Sequence, residues 1–148
     1  MTFERTLLAG WADMDFNAHM RNSAFLDKCS DVRMLFFEAN GFQSDELYRL
    51  GIGPVVKRDE LEYFREVRMM ESLRVTLART GLATDGSRFR LRNEIWRADG
   101  QLAARVTSTG GWLDLAARKL IVPPAALRTA METLTATPDF ETLPSSIK

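Results

Sequence analysis

The sequence predicts an α+β domain in which one long helix lies against an antiparallel sheet. Three observations carry that expectation: an apolar stripe at helical spacing between Ser23 and Asn40, a run of strand-like segments from Ile52 to Val122, and two Asp-Gly pairs that fold this run into hairpins. A helix with one apolar face and strands with one apolar side bury those surfaces most simply against each other.

The elements follow in chain order. Phe3 to Trp11 reads as a first strand, and the polar segment Asp13–Arg21 turns it into a loop. Phe25, Leu26, Cys29, Val32, Leu35, Phe36 and Ala39 then recur every three or four residues, which marks one buried helical stripe, and Gly41 stops the helix. Asn22 or Ser23 is the expected N-cap, although no Glu or Gln stands three positions later to complete a capping box. Gln43–Leu50 reads as a short connector.

Leu61, Tyr63, Arg65 and Val67 alternate with Glu60, Glu62, Phe64 and Glu66, and Leu73, Val75 and Leu77 alternate with Arg74, Thr76 and Ala78. This is the pattern of a sheet with one wet face. Asp85-Gly86 and Asp99-Gly100 make the strands on either side antiparallel neighbours. Phe89, Leu91, Asn93 and Ile95 form one side of a strand, and a last long strand runs from Gln101 to Leu115 with a bulge or bend expected at Gly110-Gly111. Pro123-Pro124 ends the sheet, and Ala125–Leu134 is expected as a short helix beginning just after the prolines. Residues 1–134 are thus read as a single domain. Residues 135–148, with two prolines and few apolar side chains, are expected as a loosely held tail.

Composition narrows the function. A chain of 148 residues with 45% hydrophobic content has the size and core of one domain. Twenty basic residues balance twenty acidic ones without clustering, which argues against nucleic acid as a partner. No apolar run approaches the roughly 18–20 residues of a membrane span, and the start Met-Thr-Phe-Glu-Arg lacks the regions of a signal peptide. A cytoplasmic protein is expected, in keeping with one cysteine, Cys29, that has no internal disulfide partner. Neither a Gly-rich phosphate loop nor a Cys/His metal spacing is present, so no metal is expected.

The chemistry concentrates ahead of the long helix. Asp13, Asp15, Asn17, His19 and Asn22 lie within ten positions, and His19 is the only histidine. The first N–H groups of a helix have no intrahelical acceptor and sit at the positive end of its dipole, so anions and developing oxyanions are favoured there. A carboxylate is ionised at neutral pH and can attack an acyl carbonyl or activate a water, so beside such a donor it can catalyse acyl transfer.

The segment Asp13-Met14-Asp15-Phe16-Asn17-Ala18-His19-Met20-Arg21-Asn22-Ser23-Ala24-Phe25 resembles the signature of hotdog-fold acyl-CoA thioesterases of the 4-hydroxybenzoyl-CoA thioesterase type. That signature is Asp-x-Asp, two residues, a Gly-His pair, then Asn and an aromatic. The resemblance spans roughly residues 3 to 128. It implies a curved antiparallel sheet wrapped around one long central helix, with hydrolysis of an acyl-CoA to a carboxylic acid and free CoA. It places the catalytic carboxylate on Asp15 and the carbonyl-polarising backbone N–H near Asn22. Coenzyme A would enter as part of the substrate, with no further cofactor, and a homodimer or homotetramer is implied. Ala18 stands where the family has glycine, and Phe25 where tyrosine is common. An acyl carrier protein as carrier and a non-catalytic acyl-CoA-binding module are the alternatives, and a hotdog dehydratase fits the position of His19 less well.

Simpler roles stand beside these. Asp13 is expected to bond loop backbone, and Asn17 and the Asn22 side chain to shape the loop. His19 is a candidate acid–base group or a packed hydrogen-bonding one. Cys29 falls on the apolar stripe and is expected to act as a small hydrophobe. Met34, Met69 and Met70 are expected to fill core in preference to lining an acyl pocket. Lys57, Arg58, Arg65, Arg88 and Arg90 are candidates for the CoA phosphates or ordinary solvated cations.

Overall fold

The computed structural model describes residues 2–147. Strands β1 (Phe3–Leu8), β2 (Ile52–Tyr63), β3 (Ser72–Ala83), β4 (Arg88–Trp96) and β5 (Leu102–Asp114) lie in the spatial order β1-β3-β4-β5-β2, with every neighbouring pair antiparallel. Helix α1 (Asn22–Ala39) packs against β1, β3 and β5. This is the expected α+β architecture: a sheet curled around one long helix.

The helix is held by what its spacing promised. Phe25, Cys29, Val32 and Phe36 are all buried, together with Ala24 and Phe37. Phe36 meets Phe3 of β1 edge-on at 5.2 Å, and Phe37 meets Trp112 of β5 at 5.2 Å, with Phe89 of β4 behind it at 5.8 Å. Edge-to-face pairs of this kind add about 0.5–1.5 kcal/mol each beyond their buried area. Leu26 and Leu35 are only partly buried, and Ala39 is exposed. The stripe also carries two cations that periodicity did not anticipate. Lys28 pairs with Asp13 at 2.8 Å, and Arg33 donates to Ser108 and Ser30, each at 2.9 Å.

The hairpins form where the Asp-Gly pairs lie. Gly86 and Gly100 adopt φ of 78° and 83°, which side chains with a Cβ resist. The strands β3, β4 and β5 therefore meander as expected, with Leu73, Val75, Leu77, Leu91 and Ile95 fully buried on the helix side. The bulge falls on the other strand of its pair. β5 continues unbroken through Gly110-Gly111, and the register shifts between Val56 and Arg58 of β2. Gly110 is still required, because a Cβ there would stand 2.0 Å from the Val55 carbonyl oxygen.

Other boundaries differ from the expectation. β1 ends at Leu8, and Trp11–Asp13 form a 3-10 turn. β2 ends at Tyr63, so Arg65 and Val67 lie in the following loop, whose Arg68 bridges to His19. The N-cap of α1 is Arg21, not Asn22 or Ser23, and the Arg21 side chain makes no cap hydrogen bond. The connector contains a second helix, α2 (Ser44–Leu50), with Asp45 and Glu46 in its first turn and Arg49 in its last, the charge order that complements the helix dipole. β6 (Lys119–Ile121) pairs with β5 beyond the end of β4, and α3 (Ala125–Glu132) starts after Pro124 as expected.

The segment expected to be loose is instead a strand. β7 (Ala136–Leu143) runs parallel to β3. Leu143 fills the space that a Cβ on Gly81 would enter, Asp139 forms a double hydrogen bond to Arg92 at 3.1 and 3.0 Å, and Glu141 pairs with Arg90 at 2.8 Å. Its partners lie some fifty residues away along the chain, so a composition argument could not see them.

Candidate active site

The polar loop between β1 and α1 is built around its own backbone. Asp15 N–H donates to the His19 carbonyl at 2.8 Å, and Met20 N–H to the Val67 carbonyl at 2.8 Å, which fastens the loop to the β2–β3 connection. Asp13 Oδ2 accepts from Gly10 N–H at 2.8 Å and from Lys28 Nζ at 2.8 Å. Burial opposes the charge of Asp13, but Lys28, the Gly10 N–H and Arg21 outweigh it and hold its carboxyl below the ordinary value. Asp13 is thus the structural aspartate.

Asp15 is exposed at the loop surface. Its Oδ1 accepts from the backbone N–H of Asn17 at 2.7 Å and of His19 at 3.3 Å, and no protein donor meets Oδ2 among the described residues. Two N–H groups aim one oxygen and leave the other free. Asn17 acts through its backbone, as loop shaping requires. The Asn22 side chain likewise turns inward, accepting from Ser23 N–H at 3.0 Å. The Asn22 N–H itself, first in α1, has no acceptor among the described residues.

Ala18 occupies φ +64°, a left-handed conformation that costs a residue with a Cβ about 1–2 kcal/mol. That explains a glycine at the corresponding place in the resembling signature. Ala18→Gly is expected to raise stability by about 0.5–1 kcal/mol, the relief being partly offset by glycine's greater freedom when unfolded. Thermal unfolding of both proteins checks it.

An open groove of about 370 Å³ runs past Asp15, His19 and Asn22 and is closed on its far side by Phe25, Tyr63, Arg65 and Glu66. Glu66 Oε2 stands 3.2 Å from His19 Nε2. Tyr63 packs edge-on against Phe25 at 5.3 Å and donates its hydroxyl to the Asn22 carbonyl at 3.1 Å. Burial, helped by the Cys29 sulfur, pushes the Tyr63 phenol up, so it remains a donor. The phenol that Phe25 lacks is therefore present in the same groove, on a strand. Sequence reading missed Tyr63 and Glu66 as site residues. The alternation from Glu60 to Val67 put both on a strand, whereas Glu66 lies in the loop after β2, and only the packing of that loop brings both residues into the groove with Asp15. The three methionines expected in the core are at the surface: Met34 is 37% exposed, Met69 46% and Met70 61%.

Cys29 is buried beneath this groove, and burial pushes its thiol up to about 12. Iodoacetamide is expected to leave Cys29 unmodified in the native protein and to label it once the protein is denatured, as mass spectrometry would read. Of the candidate phosphate ligands, Arg90 is taken by Glu141 and Arg58 by Glu60, while Arg65 lines the groove. No group of three or more metal-ligating side chains occurs among the described residues.

Residues 9–131 match the model of the thioesterase-like superfamily. The chain belongs to that superfamily. No curated protein matches it. Solved structures similar to this thioesterase-like chain include a Staphylococcus aureus protein in complex with CoA, at 21% identity and a TM-score of 0.83, covering 93% of this chain and 87% of that one. A 1,4-dihydroxy-2-naphthoyl-CoA thioesterase from Synechocystis is 22% identical, with a TM-score of 0.80, covering 90% and 98%. A DHNA-CoA thioesterase from Staphylococcus aureus is 16% identical, with a TM-score of 0.81, covering 88% and 89%. At such identities the likeness is one of fold, and the fold is the hotdog fold. No helix of this thioesterase-like protein, among the described residues, is long and apolar enough to cross a membrane.

Proposed function

We propose that this superfamily member is a cytoplasmic acyl-CoA thioesterase of the 4-hydroxybenzoyl-CoA thioesterase type, converting an acyl-CoA and water to a carboxylate and free CoA. The observation that carries the reading is the Asp15 carboxylate, with Oδ1 aimed by two backbone N–H groups and Oδ2 without a protein donor among the described residues, in a groove that Asn22, whose N–H is unpaired, also lines. The thioester carbonyl carbon meets Oδ2, or a water that Oδ2 deprotonates, and the carbonyl oxygen takes the Asn22 N–H. A single donor aimed at a developing oxyanion is worth about 10²–10³ in rate. The C–S bond then breaks and CoA leaves as the thiolate. Where Oδ2 attacked directly, a water hydrolyses the acyl–Asp15 anhydride, which frees the acid product and restores the carboxylate, one of the water's protons going to the thiolate. Where Oδ2 deprotonated the water, that proton passes from Asp15 to the thiolate. The acid product's own proton goes to solvent in both cases. His19, paired with Glu66, adds a second polar group on the same wall.

CoA enters as part of the substrate in this reading, and no other cofactor is called for. β2 pairs with β5 along one edge and leaves the other open, which supports assembly as a homodimer or homotetramer. The experiment is release of free thiol from a panel of aliphatic and aromatic acyl-CoAs, run beside the same acyl groups on acyl carrier protein. Turnover of acyl-CoAs supports the reading. Binding without turnover on any of them would leave a ligand-binding module in its place.

A further inference from the structure

The first turn of α1 carries the N–H donor of the proposed reaction, yet no side-chain cap holds it. Arg21 makes no cap hydrogen bond, and the Asn22 side chain accepts from Ser23 N–H at 3.0 Å. Helix ends without a cap fray, and a donor on a fraying turn does not keep a fixed distance to a reacting oxygen. Arg21 ties the turn to its own loop, its N–H donating to the Asp13 carbonyl at 2.8 Å and its Nε to Ser23 Oγ at 3.0 Å. Tyr63 ties it to the sheet. From the other side of the groove, its hydroxyl donates to the Asn22 carbonyl at 3.1 Å.

Tyr63 is itself firmly held. It is the last residue of β2, opposite Ala104 of β5, and the two N–H groups that follow it, of Phe64 and Arg65, both donate to the carbonyl of buried Ala103, at 2.8 and 3.0 Å. Its ring packs edge-on at 5.3 Å against Phe25, which stands one turn along α1 from Asn22. Backbone and ring are thus both fixed, and the phenol projects from a rigid base onto the first turn. The N–H and the carbonyl of Asn22 flank one Cα, so a bond that fixes the carbonyl limits how far the N–H can swing. We propose that Tyr63 is a positioning residue for the reaction, its phenol holding Asn22 so that the Asn22 N–H meets the developing oxyanion. This rests on the reading of Asp15 and the Asn22 N–H as the machinery of a thioesterase. Donors of this kind act through preorganisation, and a misplacement of about 1 Å can cost about a hundredfold in rate.

Tyr63→Phe keeps the ring against Phe25 and removes the hydroxyl alone. It is expected to lower kcat and kcat/KM together by at least about fivefold on the best acyl-CoA, with KM changed by less than about twofold, as for an interaction that acts only in the transition state. Tyr48→Phe, which removes the chain's other phenol from an exposed place on α2, is expected to keep the native kinetics. Circular dichroism checks that both variants are folded. A readout that general loosening would not give is the carbonyl carbon resonance of Asn22, which is expected to shift in Tyr63→Phe and to stay in place in Tyr48→Phe. Native rates in Tyr63→Phe overturn the inference and leave the thioesterase reading standing. A raised KM with kcat unchanged makes Tyr63 a substrate contact, which also overturns it. A lowered kcat with the Asn22 resonance unmoved does the same, because Tyr63 then acts by another route. Absence of hydrolysis by the native protein on every acyl-CoA sinks the thioesterase reading and the role of Tyr63 with it.

Discussion

Asp15→Asn is expected to lower kcat on the best acyl-CoA by at least about a hundredfold, a loss of about 2.7 kcal/mol of transition-state stabilisation. The substitution is chosen because the loop can survive it. An asparagine Oδ1 still accepts from the Asn17 and His19 N–H groups that hold the aspartate at 2.7 and 3.3 Å. What disappears is the charge of the carboxylate and the basicity of the other oxygen, which no protein donor meets among the described residues. KM is expected to move little, since the amide occupies the same space. An unchanged thermal midpoint beside the lost turnover would assign the effect to chemistry, and a variant as active as the parent would move the reaction away from Asp15.

Asp13→Ala is expected to cost about 3 kcal/mol of stability, because it strands the Lys28 ammonium, 9% exposed, without its carboxylate at 2.8 Å. Adding Lys28→Met removes the stranded charge and is expected to restore much of the loss, which a double-mutant cycle in denaturant unfolding would measure. The pair also sets a pH dependence. The folded carboxyl of Asp13 titrates below its unfolded value, so the stabilisation is complete above about pH 4 and is lost as pH falls through the lower folded value. The stability difference between parent and Asp13→Ala should therefore shrink in acid. A constant difference down to pH 2 would show that the ion pair is not its source. Activity should fall with the substitution as well, since the Asp13 side chain ties Gly10 N–H and Lys28 of α1 to the loop that carries Asp15.

Local signals were legible wherever one residue type forces a local geometry. Phe25, Cys29, Val32 and Phe36 must share a helical face at any tertiary arrangement, and the glycines after Asp85 and Asp99 must turn the chain, so the helix and the meander could be read directly. The exposed Ala39 and partly buried Leu26 mark the limit of this logic, since a stripe is wider or narrower according to what packs on it. α2 carried a readable signal in its ordered charges and following Gly51, but its seven residues span about two turns, too few for an apolar stripe to stand out. β7 carried almost none. Its polar composition argued for a free tail, and it is ordered by Gly81, Arg90 and Arg92 from distant strands.

The candidate site divides in the same way. The sequence by itself determined that two aspartates, a histidine and two asparagines crowd a helix start, and hence that a carboxylate and free N–H donors share one short segment. It also determined the mismatch at Ala18, whose φ of +64° shows why glycine suits that place. Only the tertiary structure decided which aspartate is free, because Lys28 lies fifteen residues from Asp13 and reaches it through the turn of α1. Only the tertiary structure brought Tyr63 and Glu66 to the groove and put Met69 at the surface beside Trp11 and Phe16. The physical reason is range: backbone geometry and helical period act over a few residues, whereas pockets and ion pairs depend on which distant segments the sheet register sets side by side.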